Sequence, residues 1–222
     1  MEKVLFVAVH PDDETLGCGG TILKHRENGD EIYWLIMTKA DQRFTSINGI
    51  EEKQKKYVKQ VTDEYNFKNF YHLNFITTEL DKYNLRDIIS EINAIIQETE
   101  PTMIYLPNRS DVHSDHKIAF EAAYACTKNF RAPFIKKIFM YETLSETEFA
   151  PALPGIVFNP NVFVDISEFL EPKLSIMQIY ETEIMKEPYP RSLSSIKALA
   201  RYRGSRIGVK YAEAFMLLFE RT

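Results

Sequence analysis

The run Val4-Leu5-Phe6-Val7-Ala8-Val9, closed by His10-Pro11-Asp12-Asp13-Glu14, constrains the fold more than any other stretch of this chain. Its apolar residues do not alternate with polar ones, so the run reads as a strand buried on both faces, as in a parallel sheet covered by helices. The polar cluster precedes Thr15-Leu16-Gly17-Cys18-Gly19-Gly20, where the chain turns toward a helix. An imidazole and two adjacent carboxylates thus stand at the carboxyl end of a strand. Open α/β sheets bind ligands there, and the residue types suit a metal-assisted hydrolase.

Strand-like and helix-like segments alternate through the rest of the chain. Lys3–Val9 and Glu31–Thr38 read as buried strands, with shorter candidates at Phe70–Phe75, Met103–Leu106, Lys137–Tyr141 and Val162–Asp165. Leu85, Ile88, Ile89, Ile92, Ile95 and Ile96 fall at helical spacing and predict an amphipathic helix near 84–98. Residues 50–66 are helical in composition and polar on one face. Ser114 is the expected N-cap of a helix running through Ala119, Ala122, Ala123 and Cys126. In the tail, a helix around 193–203 should end at Gly204, before a last strand over Tyr211–Phe219. No linker or repeat divides the 222 residues, so one domain over 1–222 is expected. The predicted fold class is α/β: Rossmann-like, a mostly parallel sheet with helices on both faces and a C-terminal extension.

The net charge is −5 and no basic block is present, which argues against nucleic acid or an anionic membrane surface as the main partner. No apolar stretch is long enough to span a bilayer, so no stable membrane insertion is expected. Lys3 is the only basic residue before the first apolar run, no small-residue cleavage site follows it, and two cysteines make no disulfide framework. A cytoplasmic location is the expectation.

A second polar cluster, His113-Ser114-Asp115-His116, follows the strand candidate Met103–Leu106 across a short loop. In a parallel sheet both clusters lie at the same edge and can converge in one crevice. A hydrolytic zinc commonly has three protein ligands and an open position. His10, Asp13 and His116 can supply two imidazoles and a carboxylate. Asp12 is then free to act as general base, and His113 can stabilise the oxyanion, with Asp115 fixing its tautomer and raising its pKa. Two histidines and one carboxylate hold Fe2+ as readily as Zn2+. Alone, the first cluster need only cap a helix and His116 need only be a surface histidine; the two clusters together favour ligation.

Ala8-Val9-His10-Pro11-Asp12-Asp13-Glu14 with Leu16-Gly17-Cys18-Gly19-Gly20 resembles the signature of the PIG-L/LmbE-like zinc-dependent N-acetylglucosaminyl deacetylases. His113–His116 resembles their second motif. Arg203-Gly204, Gly208 and Tyr211-Ala212-Glu213-Ala214-Phe215 resemble their C-terminal stretch. The resemblance implies His10, Asp13 and His116 as zinc ligands, Asp12 as base, His113 as oxyanion-stabilising or proton-donating residue, and Asp115 as its orienting partner. It further implies an N-acetylated amino sugar or glycoconjugate as substrate and a homo-oligomeric assembly. Thr38–Phe44 departs from the family's Gly-containing loop. Arg43 there, and Arg191 beside Tyr189 and Pro190 in a loop suited to a pocket rim, are the candidate substrate contacts.

Glu14 reads as a structural acid in the first helical turn, favoured by the helix dipole. Gly17, Gly19 and Gly20 lack dinucleotide-fingerprint spacing and suit close helix packing, and Cys18 suits a small buried hydrophobe. The extension Pro151–Pro190, without a repeated β-α pattern, is the expected seat of specificity. Two other functions stay open: hydrolysis of a non-sugar or thiol-conjugate amide, and non-catalytic metal or sugar binding. Against the second stands a base-like carboxylate beside the ligands, which a structural site would not need.

Overall fold

In the computed structural model, which describes residues 1–222, β1 (Lys3–Ala8) feeds two separate cores. Val4, Phe6 and Ala8 enter one and Leu5, Val7 and Val9 the other, all fully buried. Burying a side chain such as Val, Leu or Phe is worth about 1.5–3 kcal/mol, so a strand with no polar face belongs in the middle of a covered sheet. The remaining strands are β2 (Glu31–Lys39), β3 (Asn69–Ile76), β4 (Met103–Pro107), β5 (Lys137–Tyr141), β6 (Val162–Asp165) and β7 (Ala212–Glu220). Their order is β3-β2-β1-β4-β5-β7-β6. The first five are parallel, and β7 runs antiparallel to both its neighbours.

Helices α1 (Asp13–Glu27), α2 (Ile50–Tyr65), α5 (Leu170–Met177) and α6 (Leu193–Ser205) pack on one face. Helices α3 (Leu85–Thr99) and α4 (Ser114–Ala125) pack on the other. This is the expected Rossmann-like arrangement. From β1 the chain winds through β2 to β3 on one side, then returns to lay β4 beside β1 on the other. That reversal is a topological switch point, and it brings the two polar clusters side by side. No helix is long and apolar enough to cross a membrane.

Three local features differ from expectation. The N-cap of α4 is His113, whose Nδ1 accepts from the Asp115 N–H at 3.1 Å, and Ser114 is already helical. An imidazole nitrogen has taken the place expected for a hydroxyl. Gly204 lies inside α6, and a Cβ there would stand 2.7 Å from the Val209 carbonyl, so it permits a close chain crossing and does not end the helix. Finally, α5 was not anticipated within the extension: it is short, and Pro172 in its first turn obscures the pattern.

Helix α1 is buried throughout Asp13–Leu23 and has no solvent face in that stretch. The carboxylate of Glu213, from β7, accepts from the Gly20 and Thr21 N–H groups at 2.8 Å each. Lys173, from α5, donates to Glu213 at 2.7 Å and to the Leu16 carbonyl at 2.8 Å. A Cβ at Gly19 would approach Lys173 Cγ to 2.9 Å, so the glycine lets this charged pair lie against the helix backbone. The C-terminal segment thereby holds in place the helix that carries Asp13.

Removing one partner of a buried pair leaves the other charge uncompensated, at about 3–5 kcal/mol. Lys173→Met should lower unfolding stability by that order in a urea titration, and a change within error would show that the pair does not brace α1.

Candidate metal centre and active site

After β1 the backbone turns sharply: Asp12 caps α1 at φ 138°, ψ −27°, a conformation costly for a residue with a Cβ. The turn folds the Asp13 carboxylate back on the strand end, where Oδ2 accepts from the Val9 N–H at 3.0 Å and the His10 N–H at 2.8 Å. The same oxygen lies 3.7 Å from His10 Nδ1 and 3.4 Å from His116 Nε2. His116 projects from the first turn of α4 and is wholly buried. The ring centroids of His10 and His116 are 5.4 Å apart, and those of His10 and His113 are 4.7 Å apart.

His10, Asp13 and His116 offer ligand atoms within 4.8 Å of one another. His116 Nε2, which faces Asp13, is a buried ring nitrogen without a hydrogen-bond partner, and His10 turns its Nδ1 toward the same carboxylate. Burial works against a charged His116, yet the Asp13 and Asp111 carboxylates outweigh it and push the imidazole up to about 9. The space between Asp13 and His116 therefore demands positive charge, which a proton or a divalent cation can supply. Two imidazoles, one carboxylate and the orphaned His116 nitrogen fit Zn2+ or Fe2+.

Carboxylates also stand behind both histidines. Asp111 Oδ2 lies 2.8 Å from His116 Nδ1, and its Oδ1 accepts from Asn108 and Thr147 at 2.7 Å each. Asp115 Oδ2 lies 3.5 Å from His10 Nε2, and the carboxylate accepts from the Thr78 N–H at 2.6 Å and the Leu80 N–H at 3.2 Å. Such partners fix the orientation of metal-binding imidazoles. Asp115 was expected to orient His113 through its carboxylate. Its backbone N–H does so instead, and the carboxylate faces His10. The Asp115 charge does push the His113 pKa upward, as expected, but burial, then the neighbouring His10, outweigh it and bring the imidazole down to about 4.

These groups open into a cavity of about 310 Å³, whose lining includes Asp12, His113, Glu146, Tyr180, Glu183 and Arg191. Arg191 Nη1 reaches Glu183 at 3.0 Å and Asp12 at 3.4 Å. Burial, followed by the Asp13 and Glu183 carboxylates, raises the Asp12 carboxyl well above its usual range, and Arg191 opposes that rise. Glu14 is buried beneath, accepting from the Asp12 N–H at 3.1 Å, Thr15 at 2.6 Å and Tyr180 at 2.7 Å, and burial lifts it to about 7. Cys18 is fully buried in the core, and burial raises its thiol pKa.

The structure brings His10, Asp12, Asp13, His113, Asp115, His116 and Arg191 together. It leaves Arg43 outside: that guanidinium is exposed, held by Asp41 at 2.8 Å and Glu79 at 3.4 Å, and its neighbour Phe44 lines the cavity instead. Sequence reasoning missed Asp111, Glu146, Tyr180 and Glu183. Asp111 had a signal, since it sits with Asn108 in the loop leading to His116. Glu146 lies in the irregular stretch after the anticipated β5, where no motif marks it, and Tyr180 and Glu183 follow the unanticipated α5.

The family pattern described as PIG-L: GlcNAc-PI de-N-acetylase matches residues 5–127. A diacetylchitobiose deacetylase of Thermococcus kodakarensis is 26% identical over 220 residues, which are 96% of this chain and 82% of that one. A probable N-acetyl-alpha-D-glucosaminyl L-malate deacetylase of Bacillus cereus is 28% identical over 199 residues, covering 84% of this chain and 87% of the relative. The structure of N,N′-diacetylchitobiose deacetylase from Pyrococcus horikoshii shares the fold, with a TM-score of 0.78 at 22% identity over 98% of this chain and 84% of that one.

Loss of a carboxylate behind a metal-bound histidine typically costs about 10–100-fold in metal affinity. Asp111→Ala should weaken zinc binding by that factor in a chelator competition, and unchanged affinity would show that Asp111 does not support His116 as a ligand.

Proposed function

The chain belongs to the GlcNAc-PI de-N-acetylase (PIG-L) family, and on that footing we propose that it is a metal-dependent deacetylase that removes acetyl from an N-acetylated amino sugar or its glycoconjugate. The observation that carries the proposal is the convergence of His10, Asp13 and His116, with the buried His116 Nε2 unpartnered and facing Asp13, beside an Asp12 free of the ligand set. His10, Asp13 and His116 would hold Zn2+ or Fe2+. The chemistry such an ion supplies when bound is Lewis-acid polarisation of the acetyl carbonyl and a lowered pKa for the attacking water.

Asp12 takes the proton from that water. Its raised pKa makes it a stronger base than an ordinary carboxylate, and Arg191 keeps it available in ionised form. His113 is neutral near pH 7, and its Nδ1 accepts from the Asp115 N–H, so the ring proton sits on Nε2. That N–H donates to the carbonyl oxygen as negative charge builds on it. The proton held by Asp12 then passes to the departing nitrogen, and the amine leaves as acetate forms. The buried Glu14 and Tyr180 hold the Asp12 turn from below.

Asp12→Ala should retain metal while acetate release from N,N′-diacetylchitobiose falls by about 100-fold or more, the usual worth of a general base. Activity close to wild type would remove Asp12 from that role, and no acetate from the metal-loaded wild type with any N-acetyl glycoside would overturn the deacetylase reading. The ionised form of Asp12 is active, so the rate falls as pH drops through its pKa. Arg191 lowers that pKa, so Arg191→Met should move the acidic limb of the kcat/KM profile to higher pH; a shift to lower pH, or none, would contradict the pairing.

A further inference from the structure

The two relatives described above differ in what is joined to the sugar: one is named for a neutral disaccharide, the other for a malate conjugate. The charges around the cavity discriminate between such partners. Its lining carries the carboxylates of Asp12, Asp13, Asp41, Glu146 and Glu183 and no lysine; apart from histidines, its single basic side chain is Arg191. That guanidinium is already shared by Glu183 and Asp12. The nearby Arg43, outside the lining, is likewise engaged by Asp41 and Glu79. Binding a carboxylated or phosphorylated aglycone would require a free cation, ideally an arginine fork, and none faces this cavity.

Neutral hydrogen-bonding groups are present. Thr143 is fully buried and lines the cavity, and its hydroxyl has no partner. Thr45 and Ser145 line the same space. Glu146 is half-buried there, and the Ser145 hydroxyl at 3.2 Å is its one hydrogen-bonding side-chain partner. A carboxylate so placed accepts from sugar hydroxyls, attracts an ammonium and repels an anion.

We infer that this cavity selects an N-acetylated sugar whose attached group is uncharged or carries a free amine, discriminates against a carboxylated or phosphorylated one, and uses Glu146 as a specificity-determining residue. The inference rests on the deacetylase reading above. The test compares kcat/KM for acetate release by the metal-loaded chain from N,N′-diacetylchitobiose and from N-acetylglucosaminyl malate, at low and high salt. The neutral substrate should be favoured by about tenfold or more at low salt, and the preference should shrink as salt screens the carboxylates.

In Glu146→Gln the preference should fall by about threefold or more, mainly through a lower KM for the malate conjugate, since removing a like charge relieves ground-state repulsion. Equal or better use of the malate conjugate by the wild type would overturn the inference and leave the deacetylase reading standing. A preference insensitive both to salt and to Glu146→Gln would overturn the electrostatic basis. No acetate from either substrate would overturn both.

Discussion

One carboxylate oxygen organises this site. Asp13 Oδ2 takes hydrogen bonds from the last N–H groups of the β1 segment and also lies within reach of His10 and His116. Buried negative charge of this kind is tolerated only when donors and a cation compensate it. The strand end supplies the donors, and the two imidazoles mark where the cation belongs. From this follow the strained Asp12 turn, the full burial of His116 and the elevation of its pKa. The adjacency of Asp12 and Asp13 then separates their positions: Asp13 faces the strand end, His10 and His116, and its neighbour Asp12 faces the cavity and Arg191.

A constellation of this kind needs a scaffold that does not yield, and α1 provides one by being buried along most of its length. The Lys173–Glu213 pair reaches its backbone from α5 and β7, so segments distant in sequence hold one helix. This gives the C-terminal Tyr211–Phe215 stretch a physical role: Glu213 braces the helix that carries Asp13. Gly19 serves the same contact by leaving room for the Lys173 side chain.

What could be read from sequence was what short-range pattern encodes. The unbroken apolar run of β1 required a covered parallel sheet, and the spacing of the isoleucines in α3 required a helix. The ligand candidates stood directly behind strands, where topology alone brings them together. The reading failed where geometry depends on packing across the fold. The Asp115 carboxylate, adjacent in sequence to the 113–116 cluster, turns toward His10 and the Thr78–Leu80 backbone. Helix α5 was hidden by Pro172 and by its shortness, and with it the placement of Tyr180 and Glu183. Arg43 looked free in a polar loop, and only the fold shows Asp41 and Glu79 closing on it.

The central claim is that His10, Asp13 and His116 bind one divalent metal ion. X-ray absorption spectroscopy on the chain loaded with one equivalent of zinc tests it most directly. A first shell of nitrogen and oxygen at about 2.0–2.1 Å, with multiple scattering from two imidazoles, is the predicted result. A sulfur shell at about 2.3 Å, which would implicate Cys18 or Cys126, or failure to retain the equivalent of zinc, would contradict it.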